Sequence, residues 1–354
     1  MSKTLKERIV RHIEMTGPLP VAEYMHWCLA DSEAGYYTNA QVLGREGDFV
    51  TAPEVSQMFG ELIGVWAIQA WQNMGAPDLF NLVELGPGRG TLMKDLLRAC
   101  NSVPEFIKAA KIHLVETSDR LSDVQKQTLH GTENVYWCKS LADVPQGASI
   151  FIANEFLDAL PFRQYVKQDG KWLERAVGLD ESDQLVWNLS SSVLETEFLP
   201  QKHKEEPDGS VFEISNAREA YVSDISTRLS DSGGTALLID YGHSKSGFGD
   251  TFQALSSHAY ADPLAEPGKT DLTSHVDFEP LRKIAMAHDL HVSEIIAQGE
   301  FLLSLGLLER AGALGAGQSE AVQAGLVKDA ERLALPDQMG ELFKVMTISS
   351  ELMT

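Results

Sequence analysis

The chain has 354 residues, and 51 Asp and Glu against 29 Lys and Arg leave a net charge of −22. A surface this acidic repels phosphate backbones, so nucleic acid is a poor substrate; a basic protein segment or a neutral small molecule fits better, and solubility alone also accounts for the charge. A hydrophobic share of 44% fills a sizeable core, no apolar run reaches a membrane span, and Cys28, Cys100 and Cys138, odd in number and without CxxC spacing, read as buried thiols in a reducing compartment.

Met1 to Arg11 carries both charge signs and lacks an apolar signal core. No signal or transit peptide is expected, and the expected location is the cytoplasm. Leu5, Ile9 and Ile13 share one face of a helix that Gly17-Pro18 ends, and Val21 to Leu29 makes a second helix. Gly35-Tyr36-Tyr37 and Gly44 to Phe49 read as loop. Thr51 and Glu54 have capping-box spacing, opening a helix through Phe59, Leu62, Ile63 and Trp66 to about Asn73. That role explains Glu54 structurally; lining a ligand mouth is its functional alternative.

The stretch from Phe80 to Lys94, FNLVELGPGRGTLMK, organises the chain. A buried strand ends near Glu84, a turn holds Gly86, Gly88 and Gly90, and a helix with Leu92, Met93, Leu96 and Leu97 follows: the first half of a βαβ unit. The glycines permit positive φ and leave no Cβ in a ligand's way. The helix points its free N–H groups at the turn. A P-loop requires Lys-Ser/Thr after its last glycine, and Thr91-Leu92 stand there. The dinucleotide fingerprint G-x-G-x-x-G is one residue longer than the G-x-G-x-G found. S-adenosyl-L-methionine (SAM) needs only an approach to its carboxylate and ribose, with Glu84 to meet its amino group. A second strand, KIHLVE, ends in Glu116, placed to bind ribose hydroxyls. NAD would use the same carboxylate; the turn spacing favours SAM.

A helix near Leu121 to Leu129 and a third strand at Val135 to Trp137 follow, and Ser140 and Leu141 occupy the turn expected to contact adenine. Ser149 to Ala153 is a fourth strand. Its carboxyl end carries Asn154 and Glu155, with Asp158 close behind, where ligands of open α/β sheets bind. The plain alternative makes Asn154 a helix cap and Asp158 a solvated turn residue. Phe162 to Leu189 alternates around a hairpin signal at Asp169-Gly170 and reads as an antiparallel insertion. Strand five at Thr235 to Ile239 leads into Asp240. A loop insertion spans 246–280, a helix Phe278 to His288, strand six about Val292 to Ile296, helices Gly299 to Leu333 and strand seven Phe343 to Ile348. Asp271, His275 and Asp277 could suggest a metal, with Asp271 and His275 on one face of a helix. No third ligand stands at tight spacing, and methyl transfer needs none, so no metal is expected; a substrate-lining loop, or plain capping, accounts for these residues instead.

Together these elements make an α/β fold, a seven-stranded Rossmann-like sheet with helices on both faces. An N-terminal helical region at 1–75 precedes a methyltransferase domain at 76–354, with the β insertion at 161–211 between strands four and five. GYYTNAQVLGREGDFVTAPEVSQMFGELIGVW (Gly35 to Trp66), VELGPGRGTL (Val83 to Leu92), ANEFLDALP (Ala153 to Pro161), LLIDYGH (Leu237 to His243), PGKTDLTSHVDF (Pro267 to Phe278), QGEFLLSLG (Gln298 to Gly306) and MGELFKVM (Met339 to Met346) run in order over nearly the whole chain. In these the chain resembles the MidA family of methyltransferases, which includes the mitochondrial complex I assembly protein arginine methyltransferase. The resemblance implies a SAM-dependent class I methyltransferase that symmetrically dimethylates a protein arginine, plausibly on a respiratory complex I subunit. A guanidinium stays charged, so Glu155 and Asp158 are the expected clamp and Asn154 the group that fixes geometry. An NAD-dependent oxidoreductase and a non-catalytic SAM-binding assembly factor are the alternatives.

Overall fold

The computed structural model describes residues 4–38, 51–256 and 259–350. The loop expected at Gly44 to Phe49 lies outside the described residues. The chain forms two compact units, one of residues 1–49, 158–220 and 245–275, the other of residues 50–157, 221–244 and 276–354.

The second unit is an α/β layer structure with a mixed sheet. Its main strands are β1 (Phe80–Leu85), β2 (Ala110–Val115), β3 (Val135–Cys138), β4 (Ser149–Asn154), β5 (Gly234–His243) and β6 (Phe343–Ser349). Every residue of β1 and of β4 is buried, as strands covered on both faces require. The strand path runs 291–292, β6, β5, β4, β1, β2, β3, with β6 antiparallel to β5 and β1 to β5 parallel. Three two-residue strands, at 276–277, 291–292 and 296–297, bring the sheet to nine strands rather than the expected seven. Strand six is interrupted: both its pieces pair with β6, and between them the Ser293 N–H donates to Thr347 O instead.

From β1 the chain moves through β2 to β3 on one side, and through β4 to β5 on the other. The carboxyl ends of β1 and β4 are therefore the switch point, where open sheets leave a ligand crevice. The glycine turn and the Asn154-Glu155 pair leave the sheet there.

Three helices shape that end of the unit: α1 (Gln57–Asn73), α2 (Thr91–Cys100) and α3 (Asp119–Thr128). The helix expected from Thr51 to Asn73 is two. Ser56 is extended (φ −156°, ψ 143°), separating the short Ala52–Val55 helix from α1 and accepting from Met58 N–H with its side chain. The boundary expected at residue 75 does not coincide with these units, because α1 packs along α2. Gly60 and Gly64 make that approach possible: a Cβ on Gly64 would stand 2.7 Å from Leu96 O.

The first unit carries an antiparallel sheet of Leu19–Pro20, Arg163–Gln168, Lys171–Leu179, Leu185–Val193 and Val211–Ile214. Asp169 (φ 50°) and Gly170 (φ 74°) are both left-handed, as a two-residue hairpin turn requires. Helices Leu5–Thr16 and Val21–Ala30 bury Leu5, Ile9, Ile13, Tyr24 and Met25 in a core with Phe162 and Val177. The stretch from 247, without periodicity in the sequence, holds a three-stranded sheet of Gln253–Ser256, Ala259–Ala261 and Asp271–Thr273. Such short strands leave too few alternations for a pattern to emerge.

Candidate active site

The glycine turn takes the conformation its residues allow. Gly86, Gly88 and Gly90 have φ of 63°, 53° and 80°. The Gly90 N–H donates to Pro87 O at 2.7 Å, and α2 starts at the next residue. A Cβ on Gly86 would press on Phe156 Cδ2 at 2.8 Å, whereas one on Gly88 would meet nothing within 4 Å. The Gly88 backbone is thus the open face of the turn. Two residues before Gly86, Glu84 is only 2% exposed, and its Oε2 is buried without a hydrogen-bond partner. Burial pushes its carboxyl up to about 8. A buried acceptor left unpaired costs about 1–3 kcal/mol, so the arrangement favours a ligand that brings a donor, and a cationic amino group is best.

Glu116 follows β2 directly, and its N–H donates to Cys138 O at 2.9 Å. Its Oε1 accepts from Ser118 N–H at 2.7 Å and its Oε2 from Gln125 Nε2 at 3.2 Å. Burial raises this carboxyl, with those hydrogen bonds acting against the rise. Gln125, not among the expected site residues, is fully buried on α3 and also donates to Gly88 O at 2.8 Å. Its sequence signal is its spacing: four residues from both Leu121 and Leu129, it holds a polar amide on the apolar face. Ser140 caps a short turn by a reciprocal pair with Asp143, and Leu141 O accepts from Arg228 Nη2 at 2.8 Å. These groups hold the segment after β3 in place.

At the end of β4, Asn154 Nδ2 donates to Glu155 Oε1 at 3.2 Å, while Asn154 Oδ1 is buried without a partner. Glu155 has φ 49°, a left-handed conformation that costs a residue with a Cβ about 1–2 kcal/mol. Strain of this kind concentrates at functional sites. Glu155 Oε1 also accepts from Ala52 N–H at 2.8 Å, anchoring the short helix before α1. That helix corrects the capping-box reading. Thr51 makes no side-chain cap, and Glu54 Oε1 instead accepts from Thr91 Oγ1 at 2.6 Å, at the first residue of α2. Asp240, another residue the pattern did not single out, is 1% exposed and accepts from Leu157 N–H at 2.9 Å and Tyr241 N–H at 3.0 Å. It fixes the exits of β4 and β5.

Asp158 belongs to the first unit, whereas Asn154 and Glu155 belong to the second. Asp158 O accepts from Ser274 N–H at 3.2 Å and from Arg218 Nη2 at 3.3 Å, and the Arg218 guanidinium also donates to Ser274 Oγ and His275 O. Burial, then the charges of Asp271 and Asp158, push the Tyr37 hydroxyl upward, and that hydroxyl donates to Asp271 Oδ1 at 3.4 Å. The helix that would align Asp271 with His275 does not form: Asp271 opens a strand, and the His275 N–H donates to Thr251 Oγ1. Asp277, in the second unit, caps the helix Phe278–Ala287 through Glu279 N–H.

Comparison with known proteins accounts for this crevice. A family model described as S-adenosyl-L-methionine-dependent methyltransferase matches residues 62–296. The chain is 39% identical to the protein arginine methyltransferase NDUFAF7 homolog, mitochondrial, of Drosophila melanogaster, over 98% of this chain and 84% of that protein. It is 37% identical to the human protein arginine methyltransferase NDUFAF7, mitochondrial, over 94% of this chain and 80% of the other. A COG1565 superfamily member from Burkholderia thailandensis, solved with S-adenosyl-homocysteine bound, has a TM-score of 0.84 and 26% identity, covering 98% of this chain and 91% of that one. SAM is the cofactor, and the unpaired Glu84 oxygen and the open Gly88 face fit such a group. The NAD alternative falls with that assignment. The cytoplasmic expectation is corrected as well: the fly and human relatives are named mitochondrial. No helix among the described residues is long and apolar enough to cross a membrane. With the family model across its central region and relatives matched along nearly its whole length, the chain belongs to the S-adenosyl-L-methionine-dependent methyltransferase family.

Proposed function

We propose that this enzyme methylates an arginine of a protein, by symmetric dimethylation, and that the acceptor is a subunit of respiratory complex I. The names of the fly and human relatives support the arginine. The observation that carries the cofactor half of the reading is Glu84, buried with an unpaired oxygen beside the open turn. In this reading Glu84 takes the amino group of SAM, Gly86, Gly88 and Gly90 admit its carboxylate and sugar, Glu116 binds the ribose, and Ser140 and Leu141 flank the adenine. Bound SAM supplies an electrophilic methyl on its sulfonium. The chain's own task is to hold the acceptor in line and keep water out.

A guanidinium remains charged near neutrality, so acidic groups must orient it. Glu155 and Asp158 are proposed for that task and Asn154 for geometry. The strained Glu155 backbone and the unpaired Asn154 Oδ1 support the role of the β4 end. We read the sheet as the seven-stranded class I pattern with strand six interrupted, and the antiparallel insertion as lying between strands four and five. The test is mass spectrometry of complex I subunits from cells lacking the gene, complemented with wild type, Glu155→Gln or Asp158→Asn. Wild type should restore a dimethylarginine and each variant should lose it about ten- to a hundredfold while still binding SAM. An unchanged methylarginine pattern in the deletion would sink the arginine reading. Full restoration by both variants would move the acceptor site elsewhere.

A further inference from the structure

The side chain of Gln125 uses its whole amide on the cofactor crevice. Its Nε2 donates to Gly88 O at 2.8 Å and to Glu116 Oε2 at 3.2 Å, and its Oε1 accepts from Trp137 Nε1 at 3.0 Å. The residue is 0% exposed. The three partners come from three places: the open residue of the glycine turn, the carboxylate after β2, and a ring on β3. The Trp137 N–H, a donor only, orients the amide so that both Nε2 hydrogens face the crevice. Gly90 lies beside the same residue, the position of a Cβ there being 3.6 Å from Gln125 Cα.

We propose that Gln125 is a positioning residue for the cofactor, holding Glu116 in its acceptor orientation and setting the Gly88 turn at a fixed distance from it. This rests on the reading of Glu116 as the ribose ligand. A carboxylate accepts most strongly from a ribose hydroxyl when ionised and correctly turned, and a neutral amide donor on its other side fixes the turn and acts against the rise that burial causes. The other groups facing Glu116 are the Ser118 and Thr117 backbone N–H groups and the Lys139 ammonium, the latter itself bound to Asp119 at 2.6 Å. Gln125 alone among these also touches the turn.

The test is calorimetric binding of S-adenosylhomocysteine to the full chain between about pH 5.5 and 8, for wild type, Gln125→Met, Gln125→Glu and Glu116→Gln, with thermal melts as the folding control. Gln125→Met removes the donor, so the Glu116 carboxyl rises. Binding should weaken about tenfold at neutral pH, the size of one charged hydrogen bond, and the pH at which affinity is lost should move up by about one unit. Gln125→Glu keeps the acceptor for Trp137 and sets a second carboxylate against Glu116. Its affinity should be weakest near pH 8 and recover as one shared proton is taken up on acidification, a slope opposite to wild type. A residue that merely fills the core would shift neither slope. Wild-type affinity and pH profile in Gln125→Met would overturn the proposal, and so would loss of fold in both Gln125 variants. If Glu116→Gln binds like wild type, the ribose assignment fails instead. If Glu116→Gln is weakened and Gln125→Met is not, only the positioning role fails.

Discussion

Glu84 and Gly88 carry the sharpest consequences at the scale of single residues. Gly88 sits at φ 53° with open space where a Cβ would point. Gly88→Val places a β-branched residue in a left-handed conformation and a side chain in the ligand's path. Titration calorimetry should show SAM affinity at least about tenfold weaker, with a melting loss of only the 1–2 kcal/mol of backbone strain. Glu84 makes a pH prediction. Burial moves its carboxyl from 4.5 to about 8, so between those values the folded chain binds a proton that the unfolded chain has released. Stability of the cofactor-free protein should therefore fall as pH rises through that window. Glu84→Gln removes this contribution. Melting temperatures measured at about pH 5 and pH 8 should diverge less in the variant than in wild type; equal divergence would mean Glu84 titrates normally. The glycines and both strand-end carboxylates were legible in the sequence because turn chemistry and strand ends are local. Asp240 was not, and Gln125 showed only as a polar residue on an apolar face. Each acts on backbone or side chains far along the chain, Asp240 on Leu157 N–H and Gln125 on Gly88 O.

Between elements, packing reverses what local propensity says. Gly64 lies inside α1, where alanine is worth about 0.8–1.0 kcal/mol more as a helix former. A Cβ there would stand 2.7 Å from Leu96 O and 3.0 Å from Ala99 Cβ of α2. Overpacking costs about 1–3 kcal/mol, so Gly64→Ala should lower the denaturation midpoint despite the helix gain. A raised midpoint would show that α2 moves away freely. The preceding turn of α1 holds Glu61, 4% exposed, which accepts from Arg98 Nε at 3.0 Å and from Arg310 Nε and Nη2 at 2.8 Å each. Burial acts to raise the Glu61 carboxyl, and the two guanidiniums overcome it, holding it below its ordinary value. That stability is present above the unfolded value and is lost as pH falls through the folded one. Glu61→Gln should cost about 1 kcal/mol at neutral pH, less than the about 1.5–3 of a charged hydrogen bond, because both guanidiniums keep over a third of their side-chain surface in water. The wild-type advantage should shrink steadily in melts taken to pH values below the ordinary carboxylate range.

For the whole molecule the net charge of −22 matters more than any one pair. A basic acceptor segment would be drawn to this surface, and salt would weaken the attraction over a Debye length of about 10 Å at 0.1 M. Methyl transfer to an arginine-rich peptide should slow, through kcat/KM rather than kcat, as salt rises from about 20 to about 200 mM. A flat profile would assign the charge to solubility alone.

The sequence by itself determined the parallel strand–turn–helix start and the hairpin at Asp169-Gly170, and its turn spacing favoured SAM over NAD, since each depends on neighbours within one element or on the spacing of a single turn. It also carried the family, through short motifs kept in order along the chain. Only the tertiary structure decided that Glu54 serves Thr91 rather than capping its own helix, that strand six is broken against β6, and that Asp158 and Asn154 fall in different units. These outcomes turn on which distant group reaches a carboxylate or a free N–H first. Hydrogen bonds between residues far apart in sequence leave no periodicity along the chain, whereas burial of an apolar face does.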